Sequence, residues 1–349
     1  MPETSVSYKC PHCGAPLTFM AGKSTVTCQF CNTEFDAATI DEFFRDKNAR
    51  AAVWTDDEFK NLRAFTCSSC GAELVCDENT MATECVYCGN PTMIPKRFDG
   101  MLKPDFVIPF KKTKQDAVAA LKKFYEGKYL LPNDFTANNR VEAIQAMYVP
   151  FWLFDANVKA QVDFRAAKVK HSNKSEHKKI FSCQRTGKLR FERIPADGSK
   201  KMDDDFMDSI EPFDFGELVD FSAAYFAGYL ADKFDVDAGE CKARVDERID
   251  NSTMEELEKT VEDYDEVAVE ASDIEKIFSN ISYTMVPVWI LTTRYKDKPY
   301  TFMMNGQTGK VVGALPYDST KAILWPTLYT LAALPFAYIV ALIIVFLVQ

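Results

Sequence analysis

A cysteine pattern occurs twice near the start of the chain and sets the first requirement on its fold. Each copy has two Cys-x-x-Cys pairs, and the flanking residues repeat too: CPHCGAPL corresponds to CSSCGAEL, and CQFC to CVYC. Paired Cys-x-x-Cys knuckles at this spacing are typical of zinc ribbons, in which four thiolates surround one ion. We therefore predict two structural Zn²⁺ ions per chain. Their ligands are Cys10, Cys13, Cys28 and Cys31 in the first copy and Cys67, Cys70, Cys85 and Cys88 in the second.

A redox dithiol is the alternative interpretation, because Cys10-Pro11-His12-Cys13 is a tetrapeptide found in thiol oxidoreductases. A reactive Cys-x-x-Cys lies at a helix N-terminus, which lowers the pKa of its first thiol. Here Gly14-Ala15-Pro16 follows, which is a poor helix start but suits a tight metal-binding turn. Four thiolates also leave no open coordination position, and no catalytic constellation is readable elsewhere in the chain. We therefore expect structural metal sites and no enzymatic activity.

The other end of the chain carries a long apolar segment. Residues 322–348, AILWPTLYTLAALPFAYIVALIIVFLV, contain no charge. Because about 20 apolar residues cross a bilayer core, this segment is predicted to be a transmembrane helix, with Trp325 and Tyr329 at the headgroup level. The first residues are polar and do not form a signal peptide. We therefore expect a single-pass cell-membrane protein whose N-terminal bulk is cytoplasmic.

The residues between these two ends are predicted to form an α+β domain with an antiparallel sheet. The expected organisation is zinc ribbon 1–35, helical connector 36–64, zinc ribbon 65–98, cytoplasmic α+β domain 104–318 and transmembrane helix 322–348.

Single motifs support this assignment of the middle of the chain. TKQDAVAALKKFYEG predicts a helix with Thr113 as its N-cap, and AMYVPFWLFDANVKAQVDFRAAKV alternates like a strand. A second helix, in DVDAGECKARVDERIDNSTMEELEKTV, is expected to break near Asn251-Ser252. The echo of the segment 149–152 (VPFW) in 286–289 (VPVW) suggests two related strand units.

Charge is distributed unevenly along the chain. The formal net charge is −10 and the cysteine-rich segments are acidic, which argues against a protein whose main role is to bind nucleic acid. Residues 165–201 are instead strongly basic, and KVKHSNKSEHKK within them is predicted to form a hairpin tip. This tip is either a solvated loop or a contact for anionic lipid headgroups or an acidic partner. Its candidate contact residues are Lys168, Lys170, Lys174, Lys178 and Lys179.

Several longer motifs resemble a family of bacterial membrane proteins. They are VPFWLFDA, KMDDDFMDSIEPFDF, AGYLADKFDVDA, VPVWILTTRY and FMMNGQTGKVVG. Together with the cysteine pattern they look like the YdjG-type proteins, a group often labelled TFIIB-like because of its ribbons, and the resemblance covers nearly the whole chain. It implies association with PspA-type and SPFH (flotillin-like) envelope-stress proteins and with a second membrane protein. The expected function is therefore a membrane-anchored scaffold or adaptor that recruits such proteins, and a membrane-tethered nucleic-acid-binding protein is the alternative.

Overall fold

One mixed sheet of thirteen strands organises the described residues in the computed structural model of this protein. The structure describes residues 10, 25–28, 30–31, 33–36, 54, 60–77, 79–80, 82, 84–96, 98, 102–138, 141–172, 175–202, 204–296 and 298–348. Cys13, Lys174 and most of the predicted connector 36–64 lie outside these ranges.

The strands range in length from two residues to thirty. The strands are β1 (Thr25–Thr27), β2 (Glu34–Asp36), β3 (Leu62–Cys67), β4 (Glu73–Asp77), β5 (Met93–Lys96), β6 (Phe106–Val107), β7 (Gln145–Ser172), β8 (Ser175–Asp197), β9 (Val219–Asp220), β10 (Leu230–Asp232), β11 (Glu266–Tyr295), β12 (Lys298–Asn305) and β13 (Val311–Gly313). The described α-helices are α1 (Lys114–Tyr125), α2 (Asn133–Asn138), α3 (Asp204–Ile210), α4 (Lys242–Glu258) and α5 (Ser319–Val348). The predicted α+β class, with a large sheet and an apolar C-terminal helix, is confirmed.

Three long strands form the central ribbon of the sheet. β7 lies in the middle and pairs antiparallel with β8 on one side and with β11 on the other. The sheet is nevertheless mixed, because the short strands β2 and β6 join β11 in parallel and β10 joins β7 in parallel. The prediction of an antiparallel sheet therefore holds for the long strands and misses the parallel pairings of β2, β6 and β10.

Helix α4 covers one face of the ribbon. Alternate side chains of β7, from Phe154 to Phe164, are buried and belong to one apolar cluster with Val245 and Ile249 of the helix. The predicted break at Asn251-Ser252 is wrong, because α4 runs through it without interruption. Its buried residues recur every four positions, Val245, Ile249, Thr253 and Leu257, on one stripe. Packing of that stripe on the ribbon outweighs the weak helix propensity of two polar residues.

The start of α1 forms as the sequence predicts. Thr113 is its N-cap: the Thr113 side chain accepts from the backbone N–H of Asp116, and the Asp116 carboxylate accepts from the backbone N–H of Thr113. This reciprocal pair satisfies two backbone donors that a helix start leaves without intrahelical partners. Leu121 is buried at the centre of the inward face.

The two Val-Pro-x-Trp motifs face each other across the sheet. Val149 of β7 pairs with Val286 of β11. Because the strands are antiparallel, the two tryptophans lie in opposite directions along the sheet from this pair. Each indole N–H donates to a backbone carbonyl at 2.9 Å, and each indole packs edge-on against a phenylalanine. The matched contacts are Trp152 with Val236 and Phe234, and Trp289 with Lys112 and Phe110.

The hairpins that follow the two motifs match as well. β8 and β12 each end just before a glycine, and the N–H of Gly198 donates to the carbonyl of Pro150 as that of Gly306 does to Pro287, both at 2.8 Å. Each glycine carbonyl then accepts from two consecutive backbone N–H groups, those of residues 235–236 for Gly198 and of residues 111–112 for Gly306. The middle of the chain is thus an internal repeat of two units, one with β6, β7 and β8 and the other with β10, β11 and β12. The short strand β6 of the first unit pairs with β11 of the second, and the short strand β10 of the second unit pairs with β7 of the first.

The repeat supplies a matched pair of substitutions for testing the packing. A Cβ on Gly306 would lie 2.7 Å from two ring carbons of Phe110, whereas on Gly198 the nearest atom, the Cβ of Phe234, is at 3.2 Å. We expect Gly306→Ala to destabilise the protein by about 1–3 kcal/mol, as overpacking does, and Gly198→Ala to cost much less. The thermal unfolding midpoint of the detergent-solubilised protein measures the difference, and equal shifts for the two variants would contradict this packing.

Candidate metal centres and the basic hairpin tip

The cysteines of the second copy come together at one point. The Sγ atoms of Cys67, Cys70, Cys85 and Cys88 all lie within 4.8 Å of one another. Two of the separations, Cys67 to Cys88 and Cys70 to Cys85, are 3.6 Å. Four thiolates at a Zn–S distance of about 2.3 Å in a tetrahedron have sulfurs about 3.8 Å apart. The cluster therefore has the size of a site for one metal ion.

Two identical backbone turns hold this cluster. In the first, the N–H of Gly71 donates to the carbonyl of Cys67 at 3.1 Å, and in the second, that of Gly89 donates to Cys85 at 2.8 Å. Both glycines have positive φ, 72° and 65°, which glycine adopts without strain. This backbone conformation explains why a glycine follows the second cysteine of each of these knuckles.

Burial and backbone hydrogen bonds shift the pKa values of the cluster in both directions, and burial raises that of Cys70. Burial opposes ionisation of Cys67, but the backbone N–H groups of Cys70 and Ser69 lower its pKa to about 7. Burial raises the pKa of Cys85. Four thiolates so close to one another would repel, whereas a coordinated metal ion keeps thiols deprotonated. The donor set therefore fits a thiolate-bound metal.

The first copy repeats this geometry in its described residues. The Sγ atoms of Cys10, Cys28 and Cys31 lie within 4.8 Å of one another. The separation of Cys10 and Cys31 is 3.6 Å, equal to that of Cys67 and Cys88 in the second copy. Cys13, the fourth predicted ligand, lies outside the described residues. Three of the four predicted ligands are therefore in place for a metal ion.

Both cysteine segments extend the central sheet. β2, which follows the first cluster, pairs with β11 at Ile277 and Phe278. β4, which lies within the second segment, pairs with β10, and β10 pairs with β7. The clusters therefore sit on opposite edges of the ribbon and are bonded to it through backbone hydrogen bonds.

A tyrosine of the second knuckle is inserted into the sheet domain. The hydroxyl of Tyr87 donates to the Oδ2 atom of Asp232, and the hydroxyl of Ser199 donates to the same oxygen at 2.7 Å. Asp232 is completely buried, and this burial raises its pKa to about 6. Sequence reasoning missed this contact.

The strand β11 holds the same knuckle through its backbone. The hydroxyl of Thr292 donates to the carbonyl of Val86 at 2.6 Å, and the Nε of Arg294 donates to that of Cys88 at 3.0 Å. In the first copy the position of Tyr87 is taken by Phe30, which is 75% exposed. The exchange of tyrosine for phenylalanine between CVYC and CQFC was the signal in the sequence that could have indicated a polar contact in one copy.

The basic segment forms a hairpin tip, as predicted. β7 and β8 continue as a two-stranded extension beyond Ala167, where the pairing of β11 ends, to Ser172 and Ser175. Four of the predicted contact residues, Lys168, Lys170, Lys178 and Lys179, lie on this extension, and Lys174 lies outside the described residues.

The lysines of the tip are crowded. Lys168 and Lys179 lie directly opposite each other on neighbouring strands, an arrangement of like charges that is destabilising. Their ammonium groups lie over aromatic rings, Lys168 over Tyr264 at 5.4 Å and Lys179 over Phe181 at 5.1 Å. Lys178 instead pairs with Glu266 at 2.6 Å, which raises the lysine pKa. An anion bound at the tip would relieve the repulsion between Lys168 and Lys179.

Helix α5 is the candidate membrane span. Residues Ser319–Val340 have a mean hydropathy of 1.6 and are not buried within the protein, so they are long and apolar enough to cross a bilayer. The predicted helix over 322–348 is thus confirmed as a helix. Its start is fixed to the domain, because the Nζ of Lys321 donates to the carbonyl of Leu131 at 2.7 Å and to the Oδ1 of Asn133 at 2.8 Å.

The helix and the basic tip lie at opposite ends of β11. Tyr295, its last residue, donates to Asp134, the neighbour of the Asn133 that binds Lys321. Glu266, its first residue, pairs with Ala167 beside the tip. A strand of 30 residues is about 95 Å long at roughly 3.3 Å per residue. The tip is therefore far along the ribbon from the start of α5.

Sequence comparison places the chain beside a Bacillus subtilis (strain 168) protein, YdjG. The two are 34% identical over 324 residues, which cover 92% of this chain and 93% of the other. No family model matches the chain, and no solved structure matches it.

Proposed function

This chain belongs to the YdjG family, and from that membership and its geometry we propose that it is a membrane-anchored scaffold without enzymatic activity. In this proposal α5 holds the protein in the cell membrane as a single span and the remainder lies in the cytoplasm. Its role is to recruit cytoplasmic envelope-stress proteins of the PspA and SPFH types, in company with a second membrane protein.

The position of the basic tip is the observation that carries this proposal. A scaffold needs one end fixed at the membrane and a separate surface presented to a partner. Here the helix and the tip are joined by continuous antiparallel strands, which transmit position more rigidly than a flexible linker. A partner with an acidic surface fits the tip, because lysines contact carboxylates without fixed geometry. The contact of the tip with the lipid headgroups has less support, since β11 separates the tip from α5.

The metal centres serve this scaffold as structural sites. We propose that each binds Zn²⁺, because four cysteines with no other ligand type are typical of closed zinc sites. In the second site, metal binding orders the knuckle that carries Tyr87 and the strand β4, both of which bond to the sheet domain. In the first site, it orders the turn before β2, which bonds to β11.

The scaffold proposal predicts that partner recovery depends on the tip lysines. The full-length protein, solubilised in detergent from its native membrane, is purified by affinity with its bound partners. Changing Lys168, Lys170, Lys174, Lys178 and Lys179 to Gln should reduce recovery about tenfold, because five lysine–carboxylate pairs with the partner at roughly 0.3 kcal/mol each sum to about 1.5 kcal/mol. The loss should be reproduced in the wild type by raising the salt concentration.

A matched variant controls for the change in net charge. Its five exposed lysines lie away from the tip, and we expect it to keep its partners: Lys114, Lys122, Lys123, Lys159 and Lys188, each changed to Gln. Equal losses in both variants would contradict a specific role of the tip. Salt-sensitive binding of duplex DNA by the wild type, lost in the tip variant, would instead favour the alternative, a membrane-tethered nucleic-acid-binding protein that uses the same lysines.

A further inference from the structure

An exposed aromatic loop lies beside the start of the membrane helix. Residues 127–131, between α1 and α2, have the sequence GKYLL. Tyr129 is 77% exposed and Leu130 is 43% exposed, although both are large and apolar in the greater part of their surface. Tyr317, just before the helix, is also 74% exposed. Such a group of exposed apolar side chains indicates a contact with something outside the domain.

Hydrogen bonds fix the loop against α5. The carbonyl of Leu130 accepts from the backbone N–H of Asp318 at 2.8 Å. The carbonyl of Leu131 accepts from the ammonium group of Lys321 at 2.7 Å. The loop therefore cannot move independently of the first turn of the helix while these bonds are present.

The same contacts set the depth of the loop. The ring of Tyr129 lies 6.5 Å from the ring of Trp325, which is on the second turn of α5. Tryptophan and tyrosine prefer the layer of lipid headgroups, where the ring is apolar and its polar atom stays hydrated. If Trp325 occupies that layer at the start of the span, Tyr129 lies in the same layer, at the side of the helix.

We propose that residues 127–131 form a second membrane contact, in which Tyr129 and Leu130 insert into the headgroup layer of the bilayer that α5 spans. This inference rests on the proposed membrane anchor. Its occupant is the phospholipid interface, because the loop is continuous with the span and lies level with its interfacial tryptophan. The contact adds a second fixed point beside the helix, so it sets the tilt and rotation of the sheet domain relative to the membrane.

The test uses tryptophan as a depth probe in the full-length protein. The protein is placed in nanodiscs, one copy per disc, made of phosphatidylcholine and phosphatidylglycerol with or without bromine on the acyl chains close to the headgroup. Bromine quenches tryptophan only at short range. The chain has four tryptophans, and three of them, Trp54, Trp152 and Trp289, are buried in the domain. They supply a constant background signal.

The variant Trp325→Phe with Tyr129→Trp reports the loop alone. We expect brominated lipid to quench its fluorescence to an extent comparable with that of wild-type Trp325. The matched control is Trp325→Phe with Ile180→Trp, since Ile180 is 53% exposed but lies opposite Ala167, at the base of the hairpin tip. We expect no quenching in this control, and no quenching in Trp325→Phe alone.

The outcomes separate the loop from the anchor on which it depends. Quenching of Trp325 but not of the tryptophan at position 129 would overturn the loop contact and leave the anchor in place. Absence of quenching at both positions would overturn the loop contact together with the membrane anchor on which it rests. Quenching at 129 that requires two copies per disc would also overturn the proposal, because it would assign the loop to an interface between chains.

Discussion

Replacing Cys85 by serine is expected to remove one of the two proposed zinc ions from each chain and to disorder the segment that the ion would hold. Cys85 is 1% exposed and its sulfur lies 3.6 Å from that of Cys70. In small zinc domains the metal supplies about 10–16 kcal/mol of folding free energy, so the loss of one ligand outweighs the segment's own packing. Metal analysis of the purified protein should fall from about two zinc ions per chain to about one.

The loss should extend beyond the metal site. Disorder in this segment withdraws the hydroxyl of Tyr87 from Asp232 and leaves a buried carboxyl group with one fewer donor. A buried polar group that loses its partner costs about 1–3 kcal/mol. We therefore expect the thermal unfolding midpoint of the whole domain to fall.

A second buried cysteine of the same segment provides the matched control. Cys76 lies on β4 but is not part of the cluster; its thiol donates to the carbonyl of Thr80 at 3.1 Å, and burial raises its pKa to about 11. Cys76→Ser should keep both zinc ions, whereas Cys28→Ser should lose the first. A purified wild-type protein that contains no zinc, with all eight predicted ligands titrating as free thiols, would contradict the metal assignment.

A fragment that ends at Tyr317 is expected to leave the membrane fraction almost completely. It lacks all of α5, the described helix that is long and apolar enough to cross a bilayer. The loop at residues 127–131 buries too little apolar surface to hold the fragment by itself, because interfacial contacts of this size are weak and reversible. Fractionation after expression in a host without YdjG-type partners measures the change.

The matched control keeps the length of the helix and changes its sequence. A full-length chain with leucines at 323–340 should remain in the membrane, because crossing depends on length and apolarity rather than on particular side chains. Retention of the Tyr317 fragment in the membrane pellet would show that another part of the chain is an anchor. The same fragment, if soluble, is the material for measuring zinc content without detergent.

The sequence by itself determined the features that depend on short-range chemistry. Two cysteines three positions apart, followed by glycine in three of the four pairs, fix a knuckle locally, so the clusters could be predicted from spacing. The apolar length of α5 and the cap at Thr113 are likewise local, since each needs only neighbours along the chain. The hairpin tip at 168–179 could be predicted because the alternation of apolar and polar residues and the local net charge both change there.

The tertiary structure decided which distant residues meet. Tyr87 meets Asp232 and Ser199, which lie more than a hundred residues further along the chain, and no local pattern records such a contact. The break expected at Asn251-Ser252 is absent because α4 packs on the ribbon, and propensity is weaker than packing. Strand partners of two or three residues, such as β6 and β10, carry too few side chains for a period to be visible in the sequence. The distance between α5 and the basic tip follows from the pairing register of β11 with β7. Such a register is set when one face of a strand is buried, which happens only in the folded chain.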